Sequence, residues 1–167
     1  MKVLQADTVR SPVGDIAVAA AGDELVFLDF AENHERRRTL LQRRFGAVRF
    51  TQQPNLLAMR DRLARYFQGD SAAFSDLRRS TGGTDFQHQV WQALGEIPWG
   101  GTISYHQLAQ NIGNAAAVRA AASANARNPI AIIIPCHRVI GKNGALRGYA
   151  GGFERKAWLL RHEGAIV

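Results

Sequence analysis

The residues with the clearest capacity for chemistry lie in one run, Pro135-Cys136-His137-Arg138-Val139. Cys136 is the chain's only cysteine, so it has no internal disulfide partner. A lone cysteine is by default a small buried hydrophobe; its neighbours are what single this one out. A thiol attacks as its thiolate, and an adjacent His-Arg pair favours that form. Read as extended chain, consecutive side chains point to opposite sides. Direct contact between Cys136 and His137 is then awkward, and removal of the thiol proton through a bridging water is easier. The imidazole would need an acceptor to orient it, as activated nucleophiles generally require. Glu163, near the end of a helix expected over 153–163, offers that acceptor, although spacing alone does not establish the pair.

The charge pattern around this run points to a partner. The chain carries a formal net charge of +7, which suits a polyanion, although excess charge also serves solubility. No acidic residue occurs in the 57 positions between Glu96 and Glu154, while Arg119, Arg127, Arg138, Lys142 and Arg147 all fall there. Such a stretch suits a surface that faces phosphates. The five histidines (His34, His88, His106, His137, His162) are scattered, and no pair has zinc-ligand spacing. No metal or cofactor is expected. The N-terminus lacks the apolar segment of a secretory signal, and the run Ile130–Ile134 is too short to span a bilayer. Together with the single thiol, these features lead to the expectation of a cytoplasmic protein with no membrane association.

The elements that must position these residues fall into two parts, expected at 1–80 and 85–167. In the first, apolar runs Ile16–Ala20 and Leu25–Phe30 flank an Ala-Gly-Asp-Glu turn and read as a hairpin. A helix is expected over Glu32–Phe45, its arginines Arg36, Arg37, Arg38, Arg43 and Arg44 forming a solvated face. A strand at Ala47–Thr51 and a helix at Asn55–Phe67, opened by Pro54 and stopped by Gly69, complete a small α/β unit. It carries no legible chemistry and is expected to be structural. Residues 80–84 (Ser-Thr-Gly-Gly-Thr) read as a linker. Asp85 then caps a helix that presents Phe86, Val90, Trp91, Leu94 and Ile97 on one face. Ser104 and Gln107 have capping-box spacing and open a short helix closing at Gly113. Asn114 caps a helix over Ala115–Ala126, which completes a helix-turn-helix. That second helix is almost all alanine and serine around Arg119. It has little with which to read major-groove bases, but small side chains allow close approach to a narrow minor groove. A tightly packed internal helix is the alternative, against which Arg119 argues because a buried unpaired charge is costly. The aliphatic run Ile130–Ile134 is expected as a buried strand or extended segment, and Lys142-Asn143-Gly144 as a turn.

The Pro-Cys-His-Arg-Val run, preceded by the helix-turn-helix and followed by Gly148-Tyr149-Ala150-Gly151-Gly152, resembles the O6-alkylguanine-DNA alkyltransferase family. Arg119, Asn128-Pro129 and Leu160-Arg161-His162-Glu163-Gly164 stand in register, and the resemblance is detailed over residues 85–164. It implies Cys136 as nucleophile and alkyl acceptor, His137 as water-mediated base and Glu163 as its partner. It also implies Tyr105 as the hydroxyl that helps protonate the leaving guanine, and Asn128 as the hinge between recognition helix and reactive loop. Arg119 is implied as the finger that fills the gap left by a flipped base, beside Ser104, Ala120 and Ser123 as DNA contacts. The pocket would be formed by Val139, Tyr149, Ala150 and Gly151, with the carbonyls of Cys136 and Val139 accepting from the guanine amino group. Arg138 is read as structural. Many relatives have Ser at the position of Ala150; the contact implied there uses the backbone N–H, so only fine substrate preference is affected. The zinc-binding cysteines of some relatives are absent from the sequence.

The expected architecture is therefore α/β (α+β): a small N-terminal α/β unit with antiparallel strands and a mainly helical C-terminal unit with a helix-turn-helix. The expected partner is double-stranded DNA containing O6-alkylguanine, bound by a monomer with no obligate protein partner. The expected reaction is a single irreversible alkyl transfer to Cys136, since no second thiol exists to resolve a thioether. Two rivals belong to other classes: a helix-turn-helix damage sensor that binds without turnover, and a Cys–His hydrolase.

Overall fold

The hairpin forms where the sequence runs apolar. Strands β2 (Ile16–Ala21) and β3 (Glu24–Phe30) pair antiparallel across the Gly22-Asp23 turn. β2 is buried along almost its whole length, as befits a strand covered on both faces. In the computed structural model, which describes residues 1–146 and 148–167, the sheet has two further members. β1 (Lys2–Val9) pairs antiparallel with β2, and β4 (Val48–Gln52) pairs parallel with β1, giving the order β3-β2-β1-β4. β1 goes beyond the sequence expectation: Lys2, Gln5, Asp7 and Thr8 dilute its apolar alternation. One of these, Asp7, is buried and accepts from Arg60 at 2.8 Å and Gln52 at 3.1 Å. Helix α1 (His34–Phe45) places Leu41 in a core with Leu4, Ala19, Val26 and Phe27. The helix expected from Asn55 is regular only over Met59–Phe67 (α2), because Asn55, Leu57 and Ala58 all adopt positive φ.

The chain divides into two compact units, Met1–Gly82 and Gly83–Val167. The second opens on α3 (Asp85–Gly95). Its cap is Thr84 rather than Asp85: the Thr84 hydroxyl accepts from the Gln87 N–H at 3.1 Å while the Gln87 side chain accepts from the Thr84 N–H at 3.0 Å. Asp85 sits in the first turn, where a carboxylate favours the helix dipole. Ser104 caps α4 (Tyr105–Asn111), and the chain turns at Gly113, φ +79°. The following helix is shorter than expected. Residues 115–117 lie in turns, and α5 spans Val118–Ala126 without a side-chain cap. It buries Ala121, Ala124 and Asn125, and the Trp91 indole of α3 donates to the Ala124 carbonyl at 2.9 Å.

The aliphatic run 130–134 is not a strand. It folds as turns with Ile132 at φ +70°, and Ile134 N–H donates back to Ile130 O at 3.0 Å. A two-residue parallel pairing then joins β5 (Ile103–Ser104) to β6 (Val139–Ile140). Residues 142–144 turn as expected, and α6 (Phe153–His162) closes the unit with Glu163 as its C-terminal cap. The fold is thus a mixed α and β one, with the sheet in the N-terminal unit and helices dominating the C-terminal one. Arg147, counted above in the acid-free stretch, lies outside the described residues. Among the described residues no helix is long and apolar enough to cross a membrane.

Candidate active site

Cys136, His137 and Arg138 form a single 3-10 turn directly after Pro135. The extended geometry expected here is therefore replaced by one with about three residues per turn, so neighbouring side chains diverge by about 120° rather than pointing oppositely. Cys136 is nearly buried, at 7% exposure, and His137 is fully buried. The turn is held from both sides. On one, Asn128 donates to the Ile134 carbonyl at 2.7 Å and accepts from the Ile130 N–H at 3.0 Å, closing the loop between α5 and the turn. On the other, β6 pairs with β5, which leads straight into Ser104 and Tyr105 at the start of α4. The reactive turn and the start of the helix-turn-helix are thus registered by two strand residues each.

Glu163, at the end of α6, meets the turn with both carboxylate oxygens. Oε2 lies 2.9 Å from His137 Nε2, and Oε1 accepts from Arg138 Nε at 2.8 Å. Arg138 also donates to the Ile97 carbonyl at 2.6 Å, so it braces Glu163 against the end of α3. A carboxylate only accepts, so His137 carries its proton on Nε2 and keeps a lone pair on Nδ1. Nδ1 is buried with no hydrogen-bond partner among the described residues. Burial holds the His137 pKa below the ordinary histidine range, although Glu163 opposes the shift. The ring is therefore a neutral base at physiological pH, oriented by Glu163, with its accepting nitrogen open.

Residues 85–165 match the 6-O-methylguanine DNA methyltransferase DNA-binding domain, and residues 6–78 match the ribonuclease-like domain of 6-O-methylguanine DNA methyltransferase. The methylated-DNA–protein-cysteine methyltransferase of Shigella flexneri is 42% identical over 167 residues, covering 96% of each chain. The chain belongs to this methyltransferase family. A Salmonella typhimurium member is 56% identical over 107 residues, a match that spans 64% of this chain and 63% of that protein. Among solved structures, Mycobacterium tuberculosis OGT in complex with DNA superposes with TM-score 0.82 at 40% identity, covering 98% of this chain and 93% of that one.

Within the methyltransferase fold the remaining sequence-predicted positions separate into two groups. Arg119, Ala120 and Ser123 lie exposed on α5, and Arg127 joins them through a hydrogen bond to the Ser123 hydroxyl. Positions 119, 123 and 127 share one helix face. Ser104 is half-buried, its hydroxyl accepting from the Gln107 N–H at 3.0 Å as the α4 cap. Around the turn, Val139 is fully buried, Tyr105 and Gly151 are half-buried and Ala150 is exposed. Tyr149 stands edge-on to His137, ring centroids 6.4 Å apart. Asn128 binds backbone on both sides of its loop.

Lys156 was not foreseen. It is fully buried in α6, with Nζ donating to the Val139 carbonyl at 2.5 Å and lying 5.9 Å from the centre of the Tyr105 ring. Burial lowers its pKa to about 8, against the opposing pull of Cys136. The signal was present in the sequence: residues 156, 159, 160 and 163 recur at i, i+3, i+4 and i+7, the pattern of one buried face. That face carries a Lys and a Glu among leucines.

Proposed function

We propose that this chain repairs O6-alkylguanine in DNA by transferring the alkyl group, once and irreversibly, onto Cys136. The observation that carries this reading is the chain of contacts Arg138–Glu163–His137, which leaves His137 Nδ1 as an open base within a turn that contains Cys136. Through a bridging water this base takes the thiol proton. The sulfur then attacks the alkyl carbon, a C–S bond forms, and the C–O6 bond breaks. The guanine leaves with a proton delivered by Tyr105, which is replenished from the relay or solvent. The net change moves the alkyl group from oxygen to sulfur and the thiol proton to guanine. The buried ammonium of Lys156, set between the Val139 carbonyl and Tyr105, favours negative charge on both the thiolate and the departing base.

Access to such a recessed sulfur requires the damaged base to leave the helix stack. The exposed, small-residue face of α5 suits close approach along the minor groove, and Arg119 is the long side chain in its first turn that would occupy the vacated position. Val139, Tyr149, Ala150 and Gly151 would line the pocket, the Val139 carbonyl keeping one lone pair for the guanine amino group. The N-terminal unit serves as a structural support. A DNA substrate and a single thiol support a cytoplasmic protein acting as a monomer. Incubation with duplex DNA carrying radiolabelled O6-methylguanine tests the proposal. Label on Cys136 supports it, released label would indicate a hydrolase, and retained DNA without transfer a damage sensor.

A further inference from the structure

Tyr105 is the first residue of α4, directly after the Ser104 cap, and its ring has the Lys156 ammonium 5.9 Å from its centre. The hydroxyl end lies against the backbone of Gly148, in the 148–152 strap that leads into α6. Gly148 has φ +80°, and a Cβ built on it would lie 2.7 Å from the Tyr105 hydroxyl oxygen and 3.6 Å from Cζ. Ordinary contact begins at 3.4 Å, so a side chain there would have to push the hydroxyl or the strap aside by about 0.7 Å.

Positive φ alone would select glycine without any such contact. Two nearby glycines show the difference. Gly144 at φ +79° and Gly152 at φ +89° have nothing within 4 Å of a built Cβ. Their need is conformational; Gly148 also makes room for one particular oxygen. We propose that the bare backbone of Gly148 is the seat of the Tyr105 hydroxyl, making Gly148 a positioning residue for the proton delivered to the leaving guanine. The inference rests on the alkyl transfer proposed above.

The test compares Gly148→Ala with Gly144→Ala, which pays the same φ penalty away from the hydroxyl. Two methyl donors are used: O6-methylguanine in duplex DNA, whose leaving group needs a proton, and iodomethane, whose iodide does not. Gly148→Ala should slow transfer from DNA by about 10–10²-fold, as sub-ångström misplacement does, and leave iodomethane alkylation of Cys136 unchanged. Gly144→Ala should alter neither. In a Tyr105→Phe background the added Gly148→Ala change should cost nothing more, since the group it displaces is gone. Equal activity of the two alanine variants, equal loss with both donors, or full additivity with Tyr105→Phe would each overturn the proposal. Should Gly148→Ala not fold, Gly148→Asn tolerates positive φ while still placing a Cβ at the same point. Wild-type protein that fails to take methyl from O6-methylguanine would instead overturn the proposed function.

Discussion

Glu163 holds two donors with one carboxylate, and the two contacts have separable consequences. The bond to His137 sets the tautomer; the bond to Arg138 holds the carboxylate in place. Glu163→Gln preserves shape but removes the charge and offers His137 a competing donor. It should leave DNA binding intact while slowing transfer by about 10²–10⁴-fold, the usual weight of general-base catalysis, and, because Glu163 raises the His137 pKa, move the histidine limb of the pH–rate profile to lower pH. An unchanged rate between pH 6 and 9 in single-turnover assays would reduce Glu163 to a helix cap. Burial has a second readout. His137 and Lys156 are bases whose folded pKa values are both lowered, so the unfolded chain binds more protons and their contribution to stability rises with pH. For His137 that rise falls below about pH 6.5, its ordinary value; for Lys156 it lies between about 8 and 10.5. Urea titrations of wild type and Lys156→Met should therefore show the wild type gaining on the variant across pH 8–10.5. A constant difference would show that the ammonium is not desolvated. Glu163 was legible in the sequence as a candidate acceptor near the end of a helix, and the family resemblance paired it with His137. Lys156 was passed over because a lysine within a helix is normally read as solvated, and only the i, i+3, i+4, i+7 face assigns it inward.

Helix α5 offers an exposed face at Arg119 and Ser123, continued by Arg127 at its end, and the surroundings of the two arginines suit different tasks. Arg127 bonds to the Ser123 hydroxyl, which suits a phosphate contact beside the helix end. Arg119 is the long side chain in the first turn of α5, suited to insertion. If Arg119 fills the place of an extruded base, it matters when a paired base must be held out, a step costing a few kcal/mol. Arg119→Ala should slow repair in duplex DNA much more than in single strands and barely affect the free alkylated base. Arg127→Ala should weaken binding to all duplexes alike and reduce the salt slope by about one unit. Equal losses for Arg119→Ala on duplex and single strand would make it an ordinary electrostatic contact. The helix-turn-helix was readable because its signals are local: the Ser104 cap, the Gly113 turn, the alanine run. What was misread depended on tertiary contacts. The segment 130–134 is apolar enough for a strand, but Asn128 binds the backbone at 130 and 134 and curls it into turns. Strand β1 escaped notice because its buried Asp7 looks like a surface residue until Arg60 and Gln52, far along the chain, reach it. Thr84 displaced Asp85 as the α3 cap because its hydroxyl completes a reciprocal pair with Gln87.

For the whole molecule the decisive quantity is one thiol per chain. The proposed transfer would turn that thiol into a thioether, which has no easy leaving route, and the sequence holds no other cysteine to accept a second group. Methyl uptake from O6-methylguanine DNA should therefore plateau at about one equivalent per protein however long the incubation, because the chain offers one acceptor sulfur and its thioether does not give the methyl back. Mass spectrometry of the tryptic digest should place the methyl on Cys136. The same event should alter the fold's stability, because the sulfur sits in a nearly closed site at 7% exposure. Adding a methyl group to a packed position typically costs about 1–3 kcal/mol. The methylated protein should thus unfold at lower urea concentration than the unreacted form, with an unchanged dependence on denaturant. The loss should be confined to the C-terminal unit, Gly83–Val167, which contains Cys136. Hydrogen exchange can locate it: amides of α6 and the 136–140 segment should lose protection, while β1–β3 keep theirs. Uptake that continues past one equivalent would end the single-use mechanism in favour of turnover. A plateau without destabilisation would keep the mechanism and show that the pocket already has room for the group it receives.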